Sequence, residues 1–128
     1  MYLLDTNVCI DFLDARSDKL AERMAANFGR LTISTITAAE LLVGSKTSDD
    51  PVNDERKVDA LIAGLEVAPF DLSAARSYGD VIRDIGVKRK SFDRLIGVQA
   101  LALGLVLVTR NGKHFADVPG LLVENWTV

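Results

Sequence analysis

Short apolar segments alternate with helical patterns along the chain, and this alternation is the feature that most constrains its fold. Five segments have the composition of β-strands: Tyr2–Leu4, Leu31–Ser34, Glu66–Phe70, Leu105–Val108 and Leu121–Trp126. The segments between them carry apolar residues at helical spacing, as at Leu20, Met24 and Phe28. Strands separated by helices predict an α/β fold of three layers, in which helices flank a central, mostly parallel sheet.

The length of the chain and its apolar content set further limits. Its 128 residues, 48% of them hydrophobic, fit a single domain over residues 1–128. No apolar stretch approaches the ~20 residues of a membrane-spanning helix, and no signal peptide is visible. The single cysteine, Cys9, cannot form an internal disulfide, and no Cys/His cluster suggests a zinc site. We therefore expect a cytoplasmic protein that does not enter a membrane.

The charge balance limits how the chain could act on nucleic acids. It carries 15 basic and 18 acidic residues, for a net charge of −3. Proteins that coat nucleic acids usually present a basic surface instead. A nucleic-acid function would therefore be local, or it would use carboxylates to hold metal ions that contact the phosphates.

Three acidic residues follow or precede predicted strands at positions where α/β proteins place their chemistry. Asp5 follows the first strand, Glu40 lies in the helix after the second, and Asp93 begins the helix before Leu105–Val108. Each also has a structural interpretation. Asp5 could cap a helix, Glu40 could complete a capping box with Thr37, and Asp93 could be a first-turn acid that complements the helix dipole.

The apolar surroundings of these acids favour a joint interpretation. A carboxylate against apolar walls needs a compensating cation, and three carboxylates brought together repel one another unless a divalent ion binds between them. Oxygen ligands without imidazole or thiolate select Mg²⁺ or Mn²⁺. We therefore hypothesise a metal site, with the three separate structural roles as the alternative.

Several motifs then occur in a characteristic order. They are Leu4-Asp5-Thr6-Asn7, Ser34-Thr35-Ile36-Thr37-Ala38-Ala39-Glu40-Leu41, Phe92-Asp93-Arg94-Leu95-Ile96, Leu107-Val108-Thr109-Arg110-Asn111 and a closing Val118-Pro119-Gly120-Leu121 to Glu124-Asn125-Trp126. This pattern resembles the PIN-domain ribonucleases, and specifically the VapC toxins of bacterial toxin–antitoxin pairs. The resemblance runs essentially from end to end of the chain.

The resemblance implies an activity and a set of site residues. Asp5, Glu40 and Asp93 match the family's ligands for Mg²⁺ or Mn²⁺, and the implied reaction is RNA hydrolysis to a 5′-phosphate and a 3′-hydroxyl. Thr6 and Thr109 would hydrogen-bond the acids or a metal-bound water. The family commonly supplies a fourth acid near Asn111, and here Asn111 and His114 stand in its place. We expect Asn111 to orient a metal-bound water, and the number of metals stays open.

Other reactive or charged residues have competing interpretations. His114 beside Asn111-Gly112 is better explained as a loop residue than as a general base, and Cys9 as a core residue than as a nucleophile. Lys88, Arg89 and Lys90, together with Arg94, form a compact basic patch leading into Asp93. It is predicted either to contact RNA phosphates or to be a solvated loop.

The resemblance also implies partners and leaves two other functions to weigh. It implies an RNA substrate, an inhibitory VapB-like antitoxin and a homodimer, with apolar faces around Leu13, Leu20, Leu41 and Leu42 available for contacts or for the core. The alternatives are a catalytically silent PIN-like module that binds RNA, and a receiver-type phosphoacceptor domain. A receiver needs an adjacent pair of acids after the first strand, where this chain has Asp5 alone.

Overall fold

The predicted alternation of strands and helices is present in the structure, a computed structural model that describes residues 1–86 and 92–128. The strands are β1 (Tyr2–Leu4), β2 (Leu31–Ser34), β3 (Glu66–Ala68), β4 (Val106–Val108) and β5 (Val123–Glu124). The helices are α1 (Thr6–Leu13), α2 (Asp18–Ala26), α3 (Thr35–Lys46), α4 (Pro51–Gly64), α5 (Leu72–Ile85) and α6 (Phe92–Leu103). A 3₁₀ helix spans Gly112–Phe115.

The strands form one sheet in the order β3-β2-β1-β4-β5, and every pairing in it is parallel. The prediction of a mostly parallel α/β sheet is therefore confirmed. β1 lies at the centre, where Leu3 pairs with Leu107 and Leu4 with Val108 of β4. The residue after β1 consequently sits in the middle of the carboxyl edge of the sheet, between the ends of β2 and β4.

The two faces of the sheet bury separate clusters of apolar side chains. Leu4 and Val108 point to the face covered by residues of α1, α2, α3 and α4. Leu3 and Leu107 point to the other face, where Ile96 and Ala100 of α6 pack with Phe115. Neighbouring strand residues thus alternate between two cores, as the period of a β-strand requires. This arrangement gives the three predicted layers.

Two differences from the sequence pattern arise at helix starts. The polar composition of residues 47–53, which include Pro51, predicts a loop, but α4 begins at Pro51, with Asp50 as its N-cap. Proline is favoured at this first helical position because its missing N–H is not needed there. Ser73 also has the residue type of an N-cap, but α5 is capped by Asp71.

The small residues of α6 serve two different contacts. Small residues after Asp93, at Gly97 and Ala100, predict a close approach of this helix to the sheet, and Ala100 does pack against the sheet. At Gly97, however, an added Cβ would lie 2.6 Å from Cδ1 of Phe115. Gly97 therefore makes room for the 3₁₀ helix rather than for a strand. None of the helices in the described parts of the chain is long and apolar enough to cross a membrane.

Candidate active site

Asp5 occupies the centre of the carboxyl edge and is almost completely buried, with 2% of its surface exposed. Its carboxylate accepts a hydrogen bond from the Val8 backbone N–H at 2.8 Å, so it is the N-cap of α1. It also accepts a hydrogen bond from the Thr109 hydroxyl. Asp5 therefore does cap a helix, as its structural interpretation predicts, and it also lies in the candidate site.

Burial is the largest influence on the acidity of Asp5, and it raises the pKa of this carboxyl above its ordinary value. The hydrogen bonds from Thr109 and Val8 lower the pKa, the negative charge of Asp93 raises it, and the positive charge of Arg110 lowers it. Asp93, half-buried in the first turn of α6, is thus close enough to act on Asp5 electrostatically. A pair of mutually repelling carboxylates at a protected edge is a favourable place for a cation.

Glu40 is linked to the candidate site by the hydroxyl of Thr6, and not by direct contact with Asp5 or Asp93. The Thr6 hydroxyl donates to Oε1 of Glu40 at 2.7 Å, and its oxygen lies 3.1 Å from the Thr37 hydroxyl oxygen. The capping-box interpretation of Thr37 and Glu40 is wrong, because α3 is capped by Ser34, three residues before Thr37. Thr37 is instead a fully buried part of this polar network.

The donor set is compatible with a divalent metal, but the three acids do not form a closed cage. Within residues 1–86 and 92–128, no group of three or more His, Cys, Asp or Glu side chains lies close enough together to hold an ion. Mg²⁺ is commonly bound by one or two carboxylates, with waters and substrate phosphates completing its shell. Asp5 and Asp93 fit that pattern, with Glu40 one hydrogen bond further out.

The turn after β4 brings Thr109 and Asn111 beside Asp5. Thr109 is buried and its hydroxyl oxygen accepts the Asn111 backbone N–H at 3.1 Å. The half-buried Asn111 precedes the 3₁₀ helix without capping it through its side chain.

The two other reactive side chains lie in different surroundings. His114 is exposed in the 3₁₀ helix, whereas Cys9 is fully buried, and burial raises the pKa of its thiol. The interpretation of Cys9 as a core residue is confirmed.

The predicted basic patch is only partly described. Lys88, Arg89 and Lys90 lie outside the described residues. The prediction for Arg94 needs correction, because its side chain is 9% exposed and its Nη2 lies 2.6 Å from Oδ2 of Asp117. A buried, ion-paired guanidinium offers little surface to an RNA phosphate. Arg94 instead ties the first turns of α6 to the segment after the 3₁₀ helix.

Sequence reasoning missed an ion pair that joins α1 to the turn after β4. Asp11 of α1 is 4% exposed, and its carboxylate contacts Arg16 and Arg110 at 3.2 and 3.0 Å. The available signal was a charged residue within an apolar run, since Ile10 precedes Asp11 and Phe12 follows it. Its partner Arg110 is 99 positions away, so the pattern gave no means of finding it.

An apolar groove lies apart from the acidic edge, between α1, α2 and α4. Its volume is about 440 Å³, and its lining includes Phe12, Leu13, Phe28, Ala60 and Leu65. Phe28 leaves 74% of its surface exposed there. Of the residues predicted for contacts or core, Leu20 and Leu41 belong to the core, and Leu13 lines the groove.

Comparisons with known proteins agree with this geometry. The PIN domain family matches residues 2–121. The tRNA(fMet)-specific endonuclease VapC of Salmonella typhimurium is 34% identical over 128 residues, which cover 98% of this chain and 97% of that protein.

Solved structures of toxin–antitoxin complexes share the fold. In DNA-bound VapBC from Salmonella typhimurium, the matching chain has a TM-score of 0.90 at 34% identity, over 98% of this chain and 97% of that one. In VapBC2 from Rickettsia felis, bound to a fragment of its promoter DNA, the TM-score is 0.87 at 29% identity, over 98% of both chains.

Proposed function

The chain belongs to the PIN domain family, and on that premise we propose that it is a VapC-type endoribonuclease dependent on Mg²⁺ or Mn²⁺. We further propose that residues 1–128 act as one PIN domain in the cytoplasm. The observation that carries the proposal is the buried carboxylate of Asp5, at the centre of the carboxyl edge and within electrostatic reach of Asp93. Ligand sites of open parallel sheets lie at this edge.

In the proposed site, Asp5 and Asp93 hold the ion, whose chemistry would be to lower the pKa of a bound water and to offset charge on the phosphate. Val8 and Thr109 fix the orientation of the Asp5 carboxylate through their hydrogen bonds. Thr6 fixes Oε1 of Glu40, which leaves Oε2 to orient the attacking water and accept its proton. Asn111 completes the site as a hydrogen-bonding partner for water.

The relatives narrow the substrate to a testable candidate. Because a relative is named for specific cleavage of tRNA(fMet), we propose a transfer RNA as substrate, with initiator tRNA as the first candidate. The direct experiment incubates the purified chain with initiator and elongator tRNA transcripts in Mn²⁺ or Mg²⁺. We expect a discrete cut with a 5′-phosphate and a 3′-hydroxyl, and no cut in EDTA. An intact transcript with the folded, metal-supplied chain would contradict the proposal.

The same assay decides the alternative of a silent RNA-binding PIN module. That alternative rests on Asn111 and on the exposed His114, which stand where an acid is common in the family. Specific RNA binding without any cleavage would favour it. The receiver-type alternative is not retained, because the strand order β3-β2-β1-β4-β5 differs from the flavodoxin-like order 2-1-3-4-5.

The apolar groove supports a further part of the proposal, which concerns partners. Relatives of known structure are VapBC toxin–antitoxin complexes. We propose that a VapB-like antitoxin places an apolar segment in the groove beside Phe12, Phe28 and Leu65, and that the toxin is a homodimer. The lining of the groove is mainly apolar and Phe28 is largely exposed there, which supports a site for an apolar segment of a partner.

A further inference from the structure

Asp11 is a buried carboxylate that the proposed reaction does not use. It lies in the second turn of α1, on the helix that Asp5 caps. Its Oδ1 lies 3.2 Å from Nη1 of Arg16, and its Oδ2 lies 3.0 Å from Nε of Arg110. A buried carboxylate is retained at low cost only when cations compensate it. Asp11 therefore fixes the position of the Arg110 side chain relative to α1.

Arg110 places a positive charge beside the acidic edge. It follows Thr109, whose hydroxyl binds the Asp5 carboxylate, and its charge lowers the pKa of Asp5. Its side chain remains 43% exposed despite the ion pair. The pair engages Nε, and within the described parts of the chain the two terminal nitrogens have no hydrogen-bond partner. They are free to donate outwards.

We propose that Arg110 binds a phosphate of the RNA substrate beside the acidic edge, and that Asp11 is the positioning residue that holds it there. This inference rests on the proposed function. A chain of net charge −3 with two carboxylates at its site repels a polyanion, and a fixed cation at the rim offsets part of this repulsion. Guanidinium nitrogens match phosphate oxygens in geometry, and a side chain already held by Asp11 loses less entropy on binding.

The contact is tested by binding of a fluorescent initiator tRNA transcript in EDTA, across a series of salt concentrations. We expect Arg110→Gln to weaken binding about tenfold. It should also make the slope of log K against log salt shallower by about 0.7 to 1, as loss of one phosphate contact requires. Arg110→Lys keeps the charge and should retain most of the slope. Arg30→Gln is the matched control, since Arg30 is exposed at the opposite edge of the sheet, directly before β2.

The possible failures are distinguishable. If the wild-type chain neither binds nor cuts any tRNA, the proposed function fails and the phosphate contact fails with it. If the wild type binds or cuts RNA but Arg110→Gln matches it in affinity and slope, the contact alone is overturned. A merely structural Arg110 would lower the melting temperature without changing the slope, and thermal unfolding of each variant records this separately.

The positioning role of Asp11 needs its own variant. Asp11→Asn keeps the shape of the side chain and removes its charge, so we expect it to weaken binding severalfold by releasing the guanidinium. The double variant with Arg110→Gln should bind no more weakly than Arg110→Gln alone, because both changes remove the same contact. Binding by Asp11→Asn equal to or tighter than that of the wild type would overturn the positioning role.

Discussion

Asp5 caps α1 and is also proposed to bind the metal, and these two roles can be separated by one substitution. Asparagine is also a good N-cap, so Asp5→Asn should leave α1 intact while removing the charge that is proposed to hold the metal. We expect Asp5→Asn and Asp93→Asn each to lower cleavage of tRNA by at least about a hundredfold. Far-ultraviolet circular dichroism should show an unchanged fold. Cleavage retained by both variants would contradict the assignment of the site.

Metal binding by these two residues can be measured without cleavage. An ion that binds the folded state alone raises the melting temperature as its concentration rises. We expect Mn²⁺ to raise the melting temperature of the wild type, with a much smaller effect on Asp5→Asn and Asp93→Asn. Asp59→Asn on the exposed surface of α4 is the control and should respond as the wild type does. An equal response in all four proteins would indicate binding elsewhere.

The raised pKa of Asp5 predicts how stability depends on pH without metal. Its folded-state pKa lies above the ordinary 3.8 because burial disfavours the charged form. As the pH rises, Asp5 therefore loses its proton at a lower pH in the unfolded chain than in the folded one. The free energy of unfolding decreases as the pH passes the unfolded-state pKa, and it stays lower at higher pH. In EDTA, Asp5→Asn should raise the free energy of unfolding at pH 7. The change should be smaller at about pH 3, where Asp5 is protonated in both the folded and the unfolded chain. Urea titrations at the two pH values measure this, and an equal gain at both would contradict the burial argument.

Residue identities in the site were predictable where the local sequence determines position. Asp5 follows an apolar strand and Asp93 begins a helix, and the structure has Asp5 directly after β1 and Asp93 in the first turn of α6. The role of Glu40 was less accessible, because Thr37 and Glu40 have the spacing of a capping box, while the true cap is Ser34. The pairs Asp11–Arg110 and Arg94–Asp117 join residues distant in sequence. Such pairs depend on the packed fold, which local patterns do not specify.

At the scale of elements, α6 and the 3₁₀ helix can pack closely because Gly97 has no side chain. A Cβ at Gly97 would lie 2.6 Å from Cδ1 of the buried Phe115 ring. We expect Gly97→Ala to lower the free energy of unfolding by about 1–3 kcal/mol, and to disturb Asp93 one turn earlier. Gly79→Ala in α5 is the matched control, since open space surrounds it. It should stabilise by up to about 1 kcal/mol, because alanine is the better helix former. Chemical denaturation compares the two, and similar effects would contradict the packing argument.

Element types were more predictable than their ends. β2 has its expected limits, and α6 ends at Leu103 because Gly104, with a φ of 68°, follows it. β3 ends at Ala68, two residues before its expected limit, because proline follows. α4 begins inside a predicted loop because the polar residues after Pro51 lie on the solvent side of a helix. The spacing of hydrophobic residues predicts a helix only where one face is buried. The first turn of α4 has few residues on a buried face, so the spacing does not show where this helix begins.

At the scale of the whole molecule, the proposed catalytic edge and the apolar groove are separate surfaces, and α1 contributes to both. Glu40, Leu13 and Lys57 line a second, smaller cavity, and the last two of these also line the groove. A segment docked in the groove therefore has a continuous path towards the carboxyl edge. This continuity explains physically how one bound partner could block access of RNA to the proposed site.

The final prediction tests that path with a pair of matched substitutions on α4. Ala60 is exposed and lines the groove, whereas Ala63 is exposed on the same helix and does not line it. Ala60→Arg would place a charge against the apolar segment of a VapB-type antitoxin and should weaken the complex by more than about tenfold. Ala63→Arg should bind as the wild type does, and both variants should cut tRNA when alone. Calorimetry measures the affinity of each variant for the antitoxin of the same organism. Equal affinities of Ala60→Arg and Ala63→Arg would show that the antitoxin docks elsewhere.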